Sequence, residues 1–354
     1  MKILYGYRYG IVGGVSTQLL LRQAALRQAG GQCDLFFCQD NGLRRVLPVT
    51  AAGQVFFGSV RAFQRQVAQG QYDAVVVIDT PELLSVSSKQ LFLDVHTTTQ
   101  AGLSYLDRVN LSGLAGLMVP SAYSAGLLAK KTARSVTDIH ILPNTLNTAV
   151  FNLAVSASAP ACPEFIWVGK LDQHKNWRLA LVYARMLKDA LDNIRFHMVG
   201  GYTAPATVGD DFFNLLHDLE IQDSVVWLDR LANNQLATLF RRCANSGGAM
   251  LVTSRDESFG MAAAEALLCG CPLIANDLPV FREVFPEGPM VQRVDIWQPD
   301  QVMQAIQQLS SDSITNADRQ TMFEALRSQY GVEAFVNALN RMIVVEQDRN
   351  RAPT

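Results

Sequence analysis

Two carboxylates and two ammonium groups carry most of the chemistry this sequence offers. Glu257 and Glu265 stand in SRDESFGMAAAEALLCGCPLIAND (254–277), with seven residues between them. Lys170 and Lys175 stand five apart in VGKLDQHKN (168–176). A buried strand, AMLVTS (249–254), runs into the first stretch, and Phe259 or Gly260 opens a short helix after it. Glycine at such a start lets a ligand approach the unpaired N–H groups of the first turn. Those donors, with the positive end of the helix dipole, suit a phosphate. Glu265 falls about five residues into the helix, roughly 7–8 Å along at 1.5 Å per residue. One ligand would therefore meet the Glu257 carboxylate, an anion-binding helix end and a second carboxylate. Carboxylates accept hydrogen bonds from vicinal hydroxyls, which sugars supply. The alanines at 262–264 let ligand and backbone come close. Taken alone, Lys170 and Lys175 read as solvated surface charges and Glu257 as a carboxylate favouring the helix dipole. Two ammonium groups at a strand end also neutralise a diphosphate.

The elements that must hold these residues follow from periodicity. Lys2–Tyr5, Cys33–Cys38, the β-branched run QYDAVVVID (71–79), LFLDVH (91–96), GLMVPS (116–121) and DIHILPN (138–144) read as strands. Continuous apolar runs of this kind are buried on both faces of a parallel sheet. Ser16 is expected to cap a helix running to about Gln28, which Gly30-Gly31 stops. NLAVSASAPACPE (152–164) shifts to Ala, Ser and Pro and reads as a linker. The alternation then restarts with FIWVGK (165–170), a helix from Trp177, RFHMVGG (195–201), SVVWLD (224–229), a helix from Asn233, and PLIAND (272–277). Two rounds of β and α predict two doubly wound α/β domains. Their ranges are 1–151 and 164–329, joined by the linker 152–163, with an amphipathic helix and tail over 330–354. Ligands bind outside the carboxyl ends of strands in such sheets, and two of them face to face make a deep cleft.

The 354 residues are 49% hydrophobic, enough for two cores, and carry 30 Lys and Arg against 32 Asp and Glu. A net charge of −2 leaves no global field to collect nucleic acid. Six scattered cysteines form no metal-type spacing and read as reduced thiols. No run of about 18 apolar residues spans a membrane, and MKILYGYRYG has no signal-peptide core. The expected location is cytoplasmic, with peripheral contact at the inner membrane surface left open through Arg44-Arg45 or Lys130–Arg134. Asp210-Asp211 makes no convincing metal site. GIVGG, with Gly10, Gly13 and Gly14, is not the G-x-G-x-x-G of a dinucleotide enzyme.

The joint pattern of FIWVGKLDQHKN and SRDESFGMAAAEALLCGCPLIAND resembles the C-terminal half of retaining, nucleotide-sugar-dependent glycosyltransferases of the GT-B fold, family 4. The family shows Val-Gly-Arg-Leu followed by Lys, and about eighty residues later Glu-x7-Glu with Gly-Phe-Gly after the first Glu. PNTLNTAVF (143–151) and HMVGG (197–201) resemble two further family segments, and the final helix resembles one that crosses back to the first domain. The resemblance implies that Lys170 and Lys175 hold the donor diphosphate. It implies that Ser258, Phe259, Gly260 and Met261 meet phosphate and sugar through backbone amides, that Glu265 takes the ribose hydroxyls, and that Glu257 faces the transferred sugar. It places Leu231 at the base, Gly13 and Gly14 in a loop approaching phosphate and acceptor, and His96 beside the donor sugar. Lys170 replaces the usual Arg, keeping charge but losing a bidentate fork; Ser258 replaces a Gly, Thr145 another, and Asn147 an Asp. The expected partners are a UDP- or GDP-sugar and an unidentified acceptor, a saccharide, lipid-linked saccharide or small molecule. No cofactor and no metal is expected. A nucleotide-sugar 2-epimerase and a non-catalytic nucleotide-sugar-binding subunit are the competing readings.

Overall fold

A computed structural model of the chain describes residues 1–11, 13–47, 54–88, 90–154, 160–191, 193–311 and 314–351. The chain forms two compact units, Met1–Leu146 with Tyr330–Thr354, and Asn147–Gln329.

In the first unit the strands are β1 (Lys2–Gly10), β2 (Gln32–Asp40), β3 (Val55–Phe57), β4 (Ala74–Ile78), β5 (Leu91–Asp94), β6 (Gly116–Val119) and β7 (Ile139–Ile141). Their order is β3-β2-β1-β4-β5-β6-β7, with parallel ladders. The helices are α1 (Gly14–Gln28), α2 (Val60–Gly70), α3 (Gln100–Leu103) and α4 (Ala122–Thr132). The sheet is buried on both faces, as its β-branched runs require. Ile3, Tyr5, Val76 and Phe92 pack with α1, and Leu4, Val75 and Val77 pack with Phe63 of α2. β1 runs five residues beyond the expected Tyr5, because pairing with β2 continues to Gly10–Asp40 and overrides its glycines. Ser16 does not cap α1. The N-cap is Gly13, in extended backbone without a side-chain cap bond, and Ser16 lies inside the first turn, its Oγ donating to Tyr9 O at 3.3 Å.

The second unit holds β8 (Glu164–Val168), β9 (Arg195–Val199), β10 (Val225–Leu228), β11 (Met250–Val252), β12 (Leu273–Asn276) and β13 (Val291–Val294) in the order β10-β9-β8-β11-β12-β13, again parallel. Around them lie α5 (Trp177–Ala190), α6 (Ala206–Asp218), α7 (Asn233–Asn245), α8 (Met261–Leu268), α9 (Pro279–Val284), α10 (Pro299–Ser311) and α11 (Asn316–Tyr330). The last helix, α12 (Val332–Arg351), belongs to the first unit, where Phe335, Leu339, Met342 and Ile343 join the core against α1.

The expected boundary at residue 151 falls five residues late. Phe151 packs on Phe240 of α7 with ring centroids 6.4 Å apart, which draws the chain into the second unit from Asn147. The middle of the expected linker, 155–159, lies outside the described residues. The six cysteines are free. No helix among the described residues is long and apolar enough to cross a membrane.

Glu164, at the start of β8, is buried and receives Arg242 Nε and Nη2 at 2.7 Å each, with His197 Nε2 at 3.0 Å. Burial alone would raise its pKa, but hydrogen bonds from Arg242 and then His197 bring it below the ordinary value. A depressed carboxyl stabilises the fold above its unfolded pKa, and that stability is lost as pH falls through the folded one. Glu164→Gln should therefore cost about 2–3 kcal/mol near pH 7, less than a fully buried pair because Arg242 is half-exposed. In urea unfolding the deficit should shrink as the pH falls below about 4.5.

Candidate functional site

In each sheet the strand order reverses at one point, and loops leaving the carboxyl ends there diverge to opposite faces and open a crevice. In the second unit the reversal falls between β8 and β11. The lysine loop follows β8, and the Glu257 loop follows β11. The two loops are tied together from below. Trp167 Nε1, buried on β8, donates to Thr253 Oγ1 at 3.0 Å, and Thr253 Oγ1 donates to the Lys175 and Asn176 carbonyls at 2.9 and 3.1 Å. Arg255 N donates to His174 O at 2.9 Å. Asn176 takes left-handed backbone as the N-cap of α5, and Lys175 N donates to Asp172 Oδ1 at 2.8 Å. The loop geometry thus aims Lys175 at Glu257. Lys175 Nζ donates to Glu257 Oε1, which also accepts from Ser254 Oγ at 2.7 Å. The pair is partly buried, with side-chain exposures of 27% and 13%. Lys170 is exposed and makes no ion pair among the described residues.

α8 begins after Gly260, whose φ of +91° is left-handed. A Cβ there would lie 2.5 Å from Phe281 Cε1, so both the angle and the space demand glycine. The helix has no side-chain cap. Its first internal bond runs from Ala264 N to Gly260 O at 3.0 Å, so the N–H groups of Ala262 and Ala263 have no acceptor inside the helix. Phe259 is buried in the core and Ser258 is half-buried. The alanines correct the expectation that the ligand lies along them. Ala263 and Ala264 are 2% and 0% exposed, packed in the protein, and only Ala262 is half-exposed. Gly260→Ala should cost about 1–3 kcal/mol in urea unfolding, because strained backbone and the Phe281 contact add.

Glu265 is 9% exposed and has no side-chain hydrogen bond or ion pair among the described residues. Burial alone raises its carboxyl to about 8. A buried, unpartnered carboxyl is costly unless something else completes it. Leu231 lies half-buried in the loop between β10 and α7, at the same carboxyl edge.

The first unit reverses between β1 and β4. Gly13 and Gly14 start α1 directly after β1. A Cβ on Gly14 would meet nothing within 4 Å, and one on Gly13 only Ile11 Cγ2 at 4.0 Å, so local packing does not require either glycine. His96 follows β5. Its N–H donates to Asp79 Oδ2 at 3.0 Å, and Tyr105 Oη donates to Asp79 Oδ1 at 3.0 Å. Its Nε2 lies 3.1 Å from Asp94 Oδ2, an ion-pair distance whose angle falls short of a straight hydrogen bond. Arg22 Nη1 of α1 donates to the same Asp94 oxygen at 2.6 Å. Desolvation raises Asp79 to about 6 against the opposing pull of His96 and Tyr105. Burial pushes Asp94 up, but His96 and Arg22 outweigh it and hold this carboxyl well below the usual range.

Sequence reasoning named His96 but missed Asp79, Asp94 and Arg22, and missed the Trp167–Thr253 strap. The available signal for the two aspartates was a carboxylate closing a buried strand run, in VVVID and LFLD.

Residues 154–327 match the model of the family described as Glycosyl transferases group 1. The O-antigen chain mannosyltransferase RfbU of Salmonella typhimurium is 30% identical over 131 residues, 37% of this chain and 34% of that protein. The chain thus spans about a third of that curated relative's length. Among solved structures, Anabaena Alr3699/HepE in complex with UDP and glucose superposes with a TM-score of 0.77 at 15% identity, covering 97% of this chain and 99% of that one. Sucrose-phosphate synthase from Thermosynechococcus elongatus gives 0.76 at 17% identity, covering 99% and 100%. These two likenesses show the same two-sheet fold.

Proposed function

Through residues 154–327 the chain belongs to the glycosyl transferases group 1 family and has the GT-B fold, and from that premise we propose a retaining glycosyltransferase that moves a hexosyl-type sugar from a nucleotide-diphosphate donor to an acceptor hydroxyl. The observation that carries this reading is the unpartnered, buried Glu265 one and a half turns beyond the uncapped start of α8, with the Lys175–Glu257 pair on the other side of that start. A ribose diol would complete Glu265, a diphosphate would take the N–H groups of α8 and the ammonium groups of Lys170 and Lys175, and the transferred sugar would face Glu257. Ser258, Phe259, Gly260 and Met261 contribute backbone here, and Leu231 borders the base. In the first unit, Gly13, Gly14 and His96 are assigned to the phosphate, acceptor and sugar side of the same reaction.

The bond between the anomeric carbon and the diphosphate oxygen breaks with its electron pair leaving on the phosphate. Lys170, Lys175 and the α8 dipole stabilise that charge, which assigns to protein groups the work a cation would otherwise do. The acceptor oxygen bonds to the same face of the anomeric carbon, and its proton passes to the departing diphosphate. A cytoplasmic location goes with a nucleotide-sugar donor. Of the basic spots, Lys131 is paired with Asp107 at 2.6 Å, Arg134 donates to Leu111 O at 2.9 Å and Arg44 lies 3.6 Å from Asp40, so Arg45 and Lys130 are the better candidates for an anionic acceptor or headgroup.

A thermal-shift panel of UDP, GDP and their sugars should give one base that raises the melting temperature, since a ligand stabilises by RT ln(1 + [L]/Kd). With the sugar donor of that base, slow hydrolysis should release the sugar as the donor's own anomer, read by proton NMR. Release of the opposite anomer overturns retention, a product changed only at C2 indicates the epimerase, and binding without turnover indicates a partner subunit.

A further inference from the structure

The geometry assigns to Asp94, held by Arg22, the role of a positioning residue that fixes the imidazole of His96; this rests on the reading of His96 as a sugar-side group. His96 is gripped at two points by carboxylates that end adjacent strands. Asp79, after β4, takes its backbone N–H, and Asp94, at the end of β5, faces its ring. Arg22 reaches Asp94 from α1, the helix that starts at Gly14, so one ionic contact links that helix to the carboxylate beside the histidine ring. The guanidinium is fully buried, lying 5.7 Å from the Tyr5 ring centroid and 5.6 Å from that of Phe335 on α12.

A purely structural ion pair does not account for this arrangement. Among the described residues, Arg22 Nε and Nη2, Asp94 Oδ1 and His96 Nε2 have no hydrogen-bond partner of good geometry, Nε2 facing Asp94 at an ion-pair distance. Well-packed apolar side chains usually replace such a pair without loss of stability. Asp79 adds left-handed backbone, φ +39°, at a residue that is not glycine. Backbone strain and incompletely satisfied buried charge concentrate where a side chain must be held in one pose. The shared Asp94 oxygen sits beside Nε2, so its negative charge favours a proton on that nitrogen and leaves Nδ1 as the acceptor for a substrate hydroxyl.

The test uses the full chain with His96 followed by 15N NMR, plus donor turnover. Arg22→Leu/Asp94→Leu removes both charges together and so avoids stranding a buried guanidinium; Asp94→Asn is the conservative companion. The wild-type ring should show the Nε2–H tautomer, and the double variant should lose that preference. Equal tautomer populations in both proteins overturn the assignment. In a double-mutant cycle, Arg22→Leu/Asp94→Leu should slow donor turnover about 30-fold when His96 is present and less than about 3-fold in the His96→Ala background, with KM little changed. Equal losses in both backgrounds overturn the positioning role. If His96→Ala itself leaves turnover unchanged, the sugar-side reading of His96 fails, and the NMR result alone still decides whether Asp94 sets the ring.

Discussion

Nucleotide binding should grow tighter as the pH rises from 6 to 8, by about 10–100-fold, and should release close to one proton near pH 7. The cause is Glu265. Its carboxyl is neutral in the ligand-free fold at pH 7 because burial raises it to about 8. A ribose diol donates to a carboxylate, so the bound state favours the ionised form and its pKa falls. Below about 8 the ligand must drive off the proton, and each pH unit costs up to about tenfold. Calorimetry in buffers of different ionisation enthalpy reads the proton directly. Glu265→Gln should weaken UDP or GDP binding at pH 8 and flatten the pH profile. The same group shapes stability. Its folded pKa lies above the ordinary 4.5, so the stability it contributes is present below 4.5 and lost as pH rises through about 8. Glu265→Gln should therefore be the more stable protein at pH 8, by on the order of 4 kcal/mol as an upper bound, read as a higher urea midpoint. A pH-independent affinity in the wild type would remove Glu265 from the nucleotide site.

The second large effect falls on Lys175. Lys175→Ala should weaken UDP or GDP binding about 100-fold, near 3 kcal/mol, with the melting temperature of the free protein within a few degrees. Its ammonium is partly buried and already held by Glu257, so it is pre-aimed and little screened. Lys170 is exposed and has no ion pair among the described residues, so Lys170→Ala should cost only about tenfold. Glu257→Gln separates binding from transfer. It should keep nucleotide affinity within a few-fold while donor turnover falls at least about 30-fold, because Glu257 is assigned to the sugar. The salt dependence of binding should also weaken in Lys175→Ala. Unchanged affinity in that variant, with the fold intact, would take the diphosphate away from this loop.

Much of the candidate site was legible because its signals are local. A glycine after a buried strand, a small-residue helix and two carboxylates with seven residues between them are fixed within a few turns of chain. The helix start at Gly260 and the burial of Glu265 follow from that pattern. The misreadings share one cause. Ser16 looked like a cap, but the extended entry through Gly13 moved the helix start upstream of it. Ala262 to Ala264 looked like one ligand-facing strip, but helical rotation turns Ala263 and Ala264 into the core. β1 looked short until its pairing with β2 was known. Each depended on what the segment packs against.

By itself the sequence determined two rounds of β and α, the identity of the chemical groups and the net charge of −2. Periodicity and composition act over a few residues and survive without knowledge of neighbours. Tertiary structure alone decided which groups meet. Lys175 and Glu257 are 82 residues apart and bond because β8 and β11 are neighbours at the reversal of strand order. Arg22, Asp94 and His96 converge because β5 ends under α1, and α12 closes over Arg22 from the far end of the chain. Strand order is set by the burial of whole faces against one another, a global balance that no local pattern encodes.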